Sequence, residues 1–585
     1  MAGLIVVCER EGHRLRSSAA DLRRCAARIV PDNIEAHPPL LWEKNGVVAA
    51  AVNPGPGTLF REGAVAVGQL YEAGERWWEP GPSVPDGSYA LCRVSDRRVE
   101  LVTDLYASRT LWYVLTDDLF LASSSQRALV ALLDSFELNH EAVSWMLSAG
   151  YLPPGAGWDA RLRRVPPACR LTLDRRTWTL EQARHVVPII PAGGTEKEHV
   201  ERLRGAILDA CARLDLPWAT WLLALSGGMD SRTMLVGLVR AGRRPTCVTW
   251  GREAARGDPK NDAAIGERVA NHFGLPHVFC STDFTGEPLD LVLGRFLAVS
   301  EGRLDHFDGY TDGLRMWKLL FESGVEGVVR GDEPTQGYQW HYSTEEVSRL
   351  RALAHMVADY PPTHLIHRLG LAQQTWPEDL RKRAGESRSA YSGRLFQELY
   401  SPAMMSPLND LKGLYLEVAN PLLWRAVVVA SHTMPESLRR GRRAMKAVQA
   451  SMKIGIPFAE RHAPVDRSIW LAHPGFREEL RRGLSLPAAE YLYSEEAVAM
   501  IENSLDEGST PSLWTRVRPK VQKAVSKRVS SRLKPPPRLT GTRCSLAFRA
   551  YIAVRMVELL TEDAALLQPR LAIDDRRPAA PTPGS

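Results

Sequence analysis

The sequence predicts an α/β protein: a strand-rich N-terminal third, then a doubly wound parallel sheet that ends in a helical C-terminal half. Three observations predict this. Residues 1–187 carry short runs of β-branched and aromatic residues separated by Gly, Pro, Asn and Asp. From residue 198 onward, apolar runs of strand length alternate with stretches of helical periodicity, the pattern of a parallel sheet. Finally, Trp221–Leu225 leads into Ser226-Gly227-Gly228-Met229-Asp230-Ser231. Met234, Leu235, Leu238 and Val239 follow at helical spacing, giving strand, glycine turn and helix.

In chain order, strands are predicted at Leu4–Val7, Val47–Val52, Ala64–Val67, Ser88–Val94, Val99–Thr103, Leu111–Leu115 and Leu119–Ala122. Asp117-Asp118 reads as a hairpin turn. A helix is expected over Glu141–Ser148 and a linker over 188–197, around Pro188, Pro191 and Gly194. Helix Glu198–Leu214 places Val200, Leu203, Ile207, Ala210 and Leu214 on one face. Thr246–Gly251 and His277–Ser281 are further strands. Between them Asp258 and Pro259 read as N-cap and first helical residue, Ile265, Val269 and Phe273 as the buried face, and Gly274 as the C-cap. A helix from about Thr311 to Ser323 precedes a strand at Gly324–Val329. The second portion is drawn over 198–570, with a Pro/Ala-rich, disordered tail at 571–585.

Composition narrows the class. The chain has 585 residues, enough for several domains, and a net charge of +6, too mild to signal nucleic acid. Its 8 cysteines contain no Cys-x-x-Cys pair, so neither a zinc site nor a disulfide framework is signalled. No run has the length of a membrane span or signal peptide, and a soluble cytoplasmic protein is expected. Arg516 to Arg555 is free of acids and reads as a solvated basic face. Glu301, Asp305, His306 and Asp308 read as a solvated loop rather than an acceptor pocket or metal site.

The glycine turn carries the chemistry. Gly227 and Gly228 let the backbone approach an anion, and the helix start offers free N–H groups and the positive end of its dipole. Ser226 and Ser231 add hydroxyls. Asp230 adds a carboxylate suited to a phosphate-bound Mg²⁺. No Gly-Lys-Ser/Thr follows, so this is not a Walker loop. Trp250-Gly251 and Arg330-Gly331-Asp332-Glu333 also fall at predicted carboxyl ends of strands, where such sheets bind ligands.

The hexapeptide resembles the Ser-Gly-Gly-x-Asp-Ser loop of the N-type ATP pyrophosphatases. In the N-terminal third, Asp86-Gly87-Ser88-Tyr89-Ala90, Asp104, Arg109, Leu111-Trp112-Tyr113 and Phe120-Leu121-Ala122-Ser123-Ser124 resemble the class II glutamine-amidotransferase domain of asparagine synthetases. Arg330–Tyr338, Asn420–Leu423 and Ile456–Arg461 follow that family's order in the synthetase half. The resemblance implies an αββα sandwich over 1–187. It also implies ATP and Mg²⁺ at a site built from Leu225, Ser226, Gly227, Gly228, Asp230, Ser231, Trp250 and Gly251, with Asp230 and Asp332 on the metal. Trp250 would border the adenine. Glu333, Lys446 and Arg461, with Lys453 as a further candidate, are the remaining catalytic residues it suggests.

Three departures shape the expected reaction. Position 2 is Ala2 where the family has its nucleophilic cysteine, and Cys8 lies inside a strand run, so ammonia from glutamine is not expected. Ala463 stands where the family has a charge-stabilising lysine, and an apolar residue near Val329 replaces an acid. The amine then belongs to the substrate itself. The expectation is a lasso peptide macrolactam synthetase. It would adenylate an Asp or Glu side chain of a leader-free core peptide, whose N-terminal amine then attacks and closes the ring. The partners implied are that peptide, a leader-recognition protein and a leader protease, with no membrane and no nucleic acid. The alternatives are a β-lactam synthetase or asparagine-synthetase-like ligase on a small molecule, an inactive scaffold of a processing complex, and a tRNA-modifying pyrophosphatase.

Overall fold

The computed structural model describes residues 3–11, 18–56, 58–71, 76–81, 83–332, 334, 370–464, 467–471, 473–506 and 544–568. Two antiparallel sheets are stacked in the N-terminal portion. The first has the order β10 (Arg163–Arg164), β8 (Trp112–Leu115), β9 (Leu119–Ser123), β1 (Gly3–Glu9), β3 (Val47–Val52) and β2 (Leu40–Lys44). The second runs β12 (Thr179–Arg184), β11 (Cys169–Asp174), β7 (Arg98–Thr103), β6 (Asp86–Val94), β5 (Ala64–Tyr71) and β4 (Leu59–Arg61). β1 is buried on both faces, which is why it reads as a continuous apolar run. Leu4, Val6 and Cys8 pack between the sheets; Ile5 and Val7 pack under helices α1 (Ala19–Ile29) and α2 (Gln126–Leu132).

These two helices lie in a stretch whose sequence was expected to hold strands and hairpins. α1 is specified locally: Ser18 and Asp21 form a reciprocal capping box, and Leu22, Cys25, Ala26 and Ile29 make one buried stripe. The helix expected at Glu141–Ser148 is α3, His140–Ala149.

The C-terminal portion is a parallel sheet of order β15 (His277–Ser281), β14 (Thr246–Gly251), β13 (Trp221–Ala224), β16 (Gly327–Val329) and β17 (Glu417–Ala419). Its side chains alternate between two cores. Trp221, Leu223, Cys247 and Val329 join α4 (Glu196–Arg213), α5 (Met229–Arg240) and α6 (Asp262–His272); Leu222, Val248 and Val328 join α7 (Leu289–Ser300) and α8 (Arg315–Glu322). Helices on both faces make the sheet doubly wound.

Local details differ from expectation. α4 starts inside the stretch expected as linker, because Thr195 and Glu198 form a capping box. Asp258 closes a short 3₁₀ turn instead of capping α6; Asn261 caps that helix by accepting from the Ala263 amide. α8 begins only at Arg315, since Leu314 at φ +64° breaks the helical run before it. β16 begins at Gly327 because Gly324, at φ +80°, ends α8.

The two portions are joined by buried polar contacts. Loop 104–110 of the N-terminal portion lies along residues 396–413, a π-helical segment Phe396–Met405 followed by helix Ser406–Gly413. Four successive loop carbonyls accept from four side chains: Leu105 from Gln397 (2.6 Å), Tyr106 from Ser401 (2.8 Å), Ala107 from Ser406 (2.5 Å) and Ser108 from Asn409 (3.3 Å). Beyond them, Arg109 reaches Asp410 (3.0 Å) and Glu417 (2.7 Å), and Arg303 reaches Asp410 (3.0 Å). All four charged side chains are buried, so their pairing and hydrogen bonds decide whether the seam is favourable.

Charged groups read as solvated are struts. Glu301 is buried and accepts from Ser125 and from the Gln126 amide. Asp305 pairs with Arg549 at 2.7 Å, and Asp308 accepts from the Trp470 indole at 2.6 Å. Arg549, from the acid-free stretch, is therefore fully buried in the C-terminal helix Cys544–Ala564 rather than on a solvated face. Residues 516–543 of that stretch, and the expected tail at 571–585, lie outside the described residues. No helix among the described residues is long and apolar enough to cross a membrane.

Candidate functional site

The carboxyl edge of the parallel sheet collects the loops predicted to act together. β13 ends at Ala224, and residues 226–228 turn the chain into α5. The turn is rigidly specified. The Ser226 amide donates to the Ser231 hydroxyl (3.0 Å), the Gly228 amide to the Ser226 hydroxyl (3.2 Å), and the Gly227 amide to Asp262 at the start of α6 (3.1 Å). Gly227 is required by close approach: a β-carbon there would stand 2.5 Å from that of Ala459 and 2.9 Å from that of Ile265. Gly228 is the N-cap of α5 and offers no side chain to its first-turn amides. A helix start left uncapped by side chains is an anion site in waiting.

Asp230 and Asp332 are brought to the same corner. Gly331 packs directly on the first turn of α5: a β-carbon there would stand 2.8 Å from the Ser231 amide nitrogen and 2.9 Å from the Asp230 carbonyl carbon. Both carboxylates are partly buried and each holds a guanidinium. Arg442 bonds Asp230, and Arg330 makes a forked contact with Asp332 at 3.0 and 3.2 Å. Arg442 reaches Asp230 from a left-handed residue, φ +58°, at the start of helix Arg443–Ser451.

The other expected residues divide. The Leu225 peptide is saturated by protein: its amide donates to Val248 (2.9 Å) and its carbonyl accepts from Thr249. Trp250 is half-buried, meets Trp317 edge-on at 5.5 Å, and points to the face of the sheet opposite α5. Gly251 is pressed against residue 463, and the Arg252 amide donates to the Ala463 carbonyl at 2.9 Å, so this segment crosses the end of β14. Ala463 is buried there and supplies only backbone. Arg461 is 61% exposed and paired to Asp258 at 2.8 Å. Lys446 and Lys453 are exposed, on and just beyond helix Arg443–Ser451. Glu333 lies outside the described residues.

Residues that the sequence reading did not assign complete the corner. Arg330 and Arg442 neutralise the two acids. Asp262 steadies the turn, and Arg232, buried in α5, donates to the carbonyls of Ile456 (2.6 Å) and Pro457 (3.0 Å), holding the crossing segment down. Lys412 is buried on the Trp250 side of the sheet. Its signal in the sequence is one lysine set among Leu408, Leu411, Leu414 and Leu416.

The thiols of the N-terminal portion are packed away. Cys8, Cys25, Cys92 and Cys169 are all buried. Burial pushes the Cys8 thiol up to about 11 and those of Cys25 and Cys169 to about 12, so none is poised as a thiolate.

No protein-family model matches this chain, and no curated protein matches it. Among solved structures it is similar to the allosteric regulatory enzyme of purine biosynthesis, at 10% identity over 48% of this chain and 81% of that one, TM-score 0.20. It is similar to NMN synthetase from Francisella tularensis at 16% identity, over 38% of this chain and 94% of that one, TM-score 0.18. It is also similar to the glutamine phosphoribosylpyrophosphate amidotransferase of B. subtilis, solved with ADP and GMP, at 10% identity over 57% and 77%, TM-score 0.20. These likenesses are too remote to assign a reaction.

Proposed function

We propose that the chain is an ATP-dependent, AMP-forming carbon–nitrogen ligase, and that the bond it makes closes a macrolactam in a ribosomal lasso peptide. The observation that carries the ligase reading is the meeting of the uncapped α5 N-terminus with Asp230 and the Gly331-Asp332 backbone at one strand edge. A helix start without a side-chain cap and its dipole suit the departing pyrophosphate, and the two acids would suit a phosphate-bound cation.

The donor set fits Mg²⁺, which is bound by one or two carboxylates plus phosphate oxygens. Bound there, it would supply charge neutralisation on the triphosphate. Asp230 and Asp332 would hold it. Arg442 and Arg330 hold those carboxylates in this structure, and a cation bound there would compete with them. Forming an amide from a free carboxylate in water is uphill, and adenylation supplies the leaving group.

The finer reading rests on where the amine comes from. With the described thiols of the N-terminal portion buried and none poised, ammonia from glutamine has no evident source, which supports an amine carried by the substrate. In a core peptide both ends are on one molecule, and holding them together makes the attack effectively unimolecular. A leader-recognition protein and a leader protease would deliver that peptide, and the chain would work in the cytoplasm.

The test is incubation of the protein with Mg-ATP and leader-free core peptides. Loss of one water from a peptide, with AMP and pyrophosphate released, supports the proposal. Asparagine from aspartate and ammonia, or turnover of a small N-carboxyalkyl amino acid with no peptide dehydrated, overturns the macrolactam reading. Absence of pyrophosphate release with every acid overturns the ligase reading.

A further inference from the structure

Lys412 is the buried charge that the fold leaves unexplained. Other deeply buried cations of the seam, Arg109, Arg127, Arg303 and Arg549, each hold a carboxylate. Lys412 is 2% exposed, and among the described residues its ammonium donates only to the carbonyl of Leu408, 2.9 Å away in its own helix. It forms no ion pair among the described residues. A lysine ammonium has three donors, and two aromatic faces compensate a buried charge more weakly than a carboxylate does.

Its surroundings are aromatic and buried. The ammonium lies 6.0 Å from the Tyr310 ring centre and 5.9 Å from that of Trp317, and the half-buried Trp250 meets Trp317 edge-on. The charges that bear on it are Arg330 and Asp332, already bound to each other. Burial, deepened by Arg330 and opposed by Asp332, pushes Lys412 well below the ordinary lysine range. A carboxylate placed beside it would favour the charged form and raise it again, next to the acid expected to serve the triphosphate.

The geometry points to Lys412 as the anchor for the carboxylate that is to be activated, with Trp250, Trp317 and Tyr310 enclosing its apolar flank. This rests on the ligase reading above and narrows the substrate to acids borne on an apolar or aromatic framework, such as an Asp or Glu side chain within a peptide. Lys412 would supply, from the opposite face of the sheet, the cation that Ala463 lacks.

Isothermal titration of the full chain with N-acetyl-aspartate α-methylamide, and with its neutral asparagine counterpart, tests this. The wild type is expected to prefer the carboxylate at least ten-fold. K412M should lose that preference and K412R should keep part of it, while all three bind a non-hydrolysable Mg-ATP analogue equally. A preference retained in K412M, or absent from the wild type, overturns the anchor. The wild-type comparison and K412R decide the matter if K412M does not fold. A wild type that discriminates but never releases pyrophosphate would sink the ligase and leave the anchor standing. One that releases pyrophosphate without preferring the carboxylate would sink only the anchor.

Discussion

The guanidinium of Arg442 is bonded to the carboxylate of Asp230, across the mouth of the glycine turn. On the proposed ligase reading, the pair would set the charge that an incoming triphosphate meets. Asp230→Ala should cut pyrophosphate release at least a hundred-fold, because the cation site loses one of its two acids. Arg442→Gln should weaken binding of a non-hydrolysable ATP analogue by about ten-fold, since Asp230 then faces phosphate without this guanidinium. Pyrophosphate assay and titration calorimetry check the two separately.

Gly331 touches the first turn of α5 so closely that any side chain must part the two strand ends. Gly331→Ala is expected to cost about 1–3 kcal/mol, as overpacking does, and to abolish nucleotide binding by moving Asp332 away from Asp230. Thermal melting and nucleotide titration read the two effects. Unchanged nucleotide affinity would show that the strand edge is not the site.

Arg109 holds two buried acids from the other portion of the chain. Arg109→Met leaves Asp410 with Arg303 and the Thr110 amide and Glu417 without this partner, and should destabilise by about 3–5 kcal/mol in urea denaturation. Arg109→Lys should rescue little, because an ammonium cannot span both carboxylates as the guanidinium fork does.

His432 gives the protein an acid-sensitive seam. Burial holds its imidazole down to about 4, and its Nδ1 lies 2.8 Å from the Val187 carbonyl. Between pH 6.5 and 4 the unfolded chain takes up a proton that the native state refuses. Stability from this group is complete above pH 6.5 and falls as pH drops, by an amount on the order of 3 kcal/mol at pH 4. Denaturation midpoints at several pH values should fall less steeply in His432→Gln than in the wild type, with His185, also held down to about 4, supplying part of the remaining slope.

Much of the frame was legible in the sequence. Val47–Val52, Thr246–Gly251 and His277–Ser281 form as expected because each apolar run is bounded by turn residues. The turn at 226–231 was legible because its chemistry is local. α1 was readable but overlooked: Ser18 and Asp21 announce its start and its apolar stripe has helical spacing. β17 is three residues long and is defined only by pairing with β16, so nothing local marks it. The partners of Asp230 and Asp332 show the same division. Arg330 sits two residues from Asp332, whereas Arg442 comes from a distant helix, a relation no spacing rule encodes. Arg461 was misleading for the converse reason: its order in the chain suited the site, but its side chain turns outward to Asp258.

The row of carbonyls from Leu105 to Ser108 meets its donors in strict register, so a slip of a single residue would strand every one of them at once. Such a join works like a key cut for one lock. The N-terminal portion cannot be exchanged for a homologous module, or expressed away from its companion, without uncovering polar groups that water must then reclaim. The sandwich is thereby the mould against which the rest of the chain is cast.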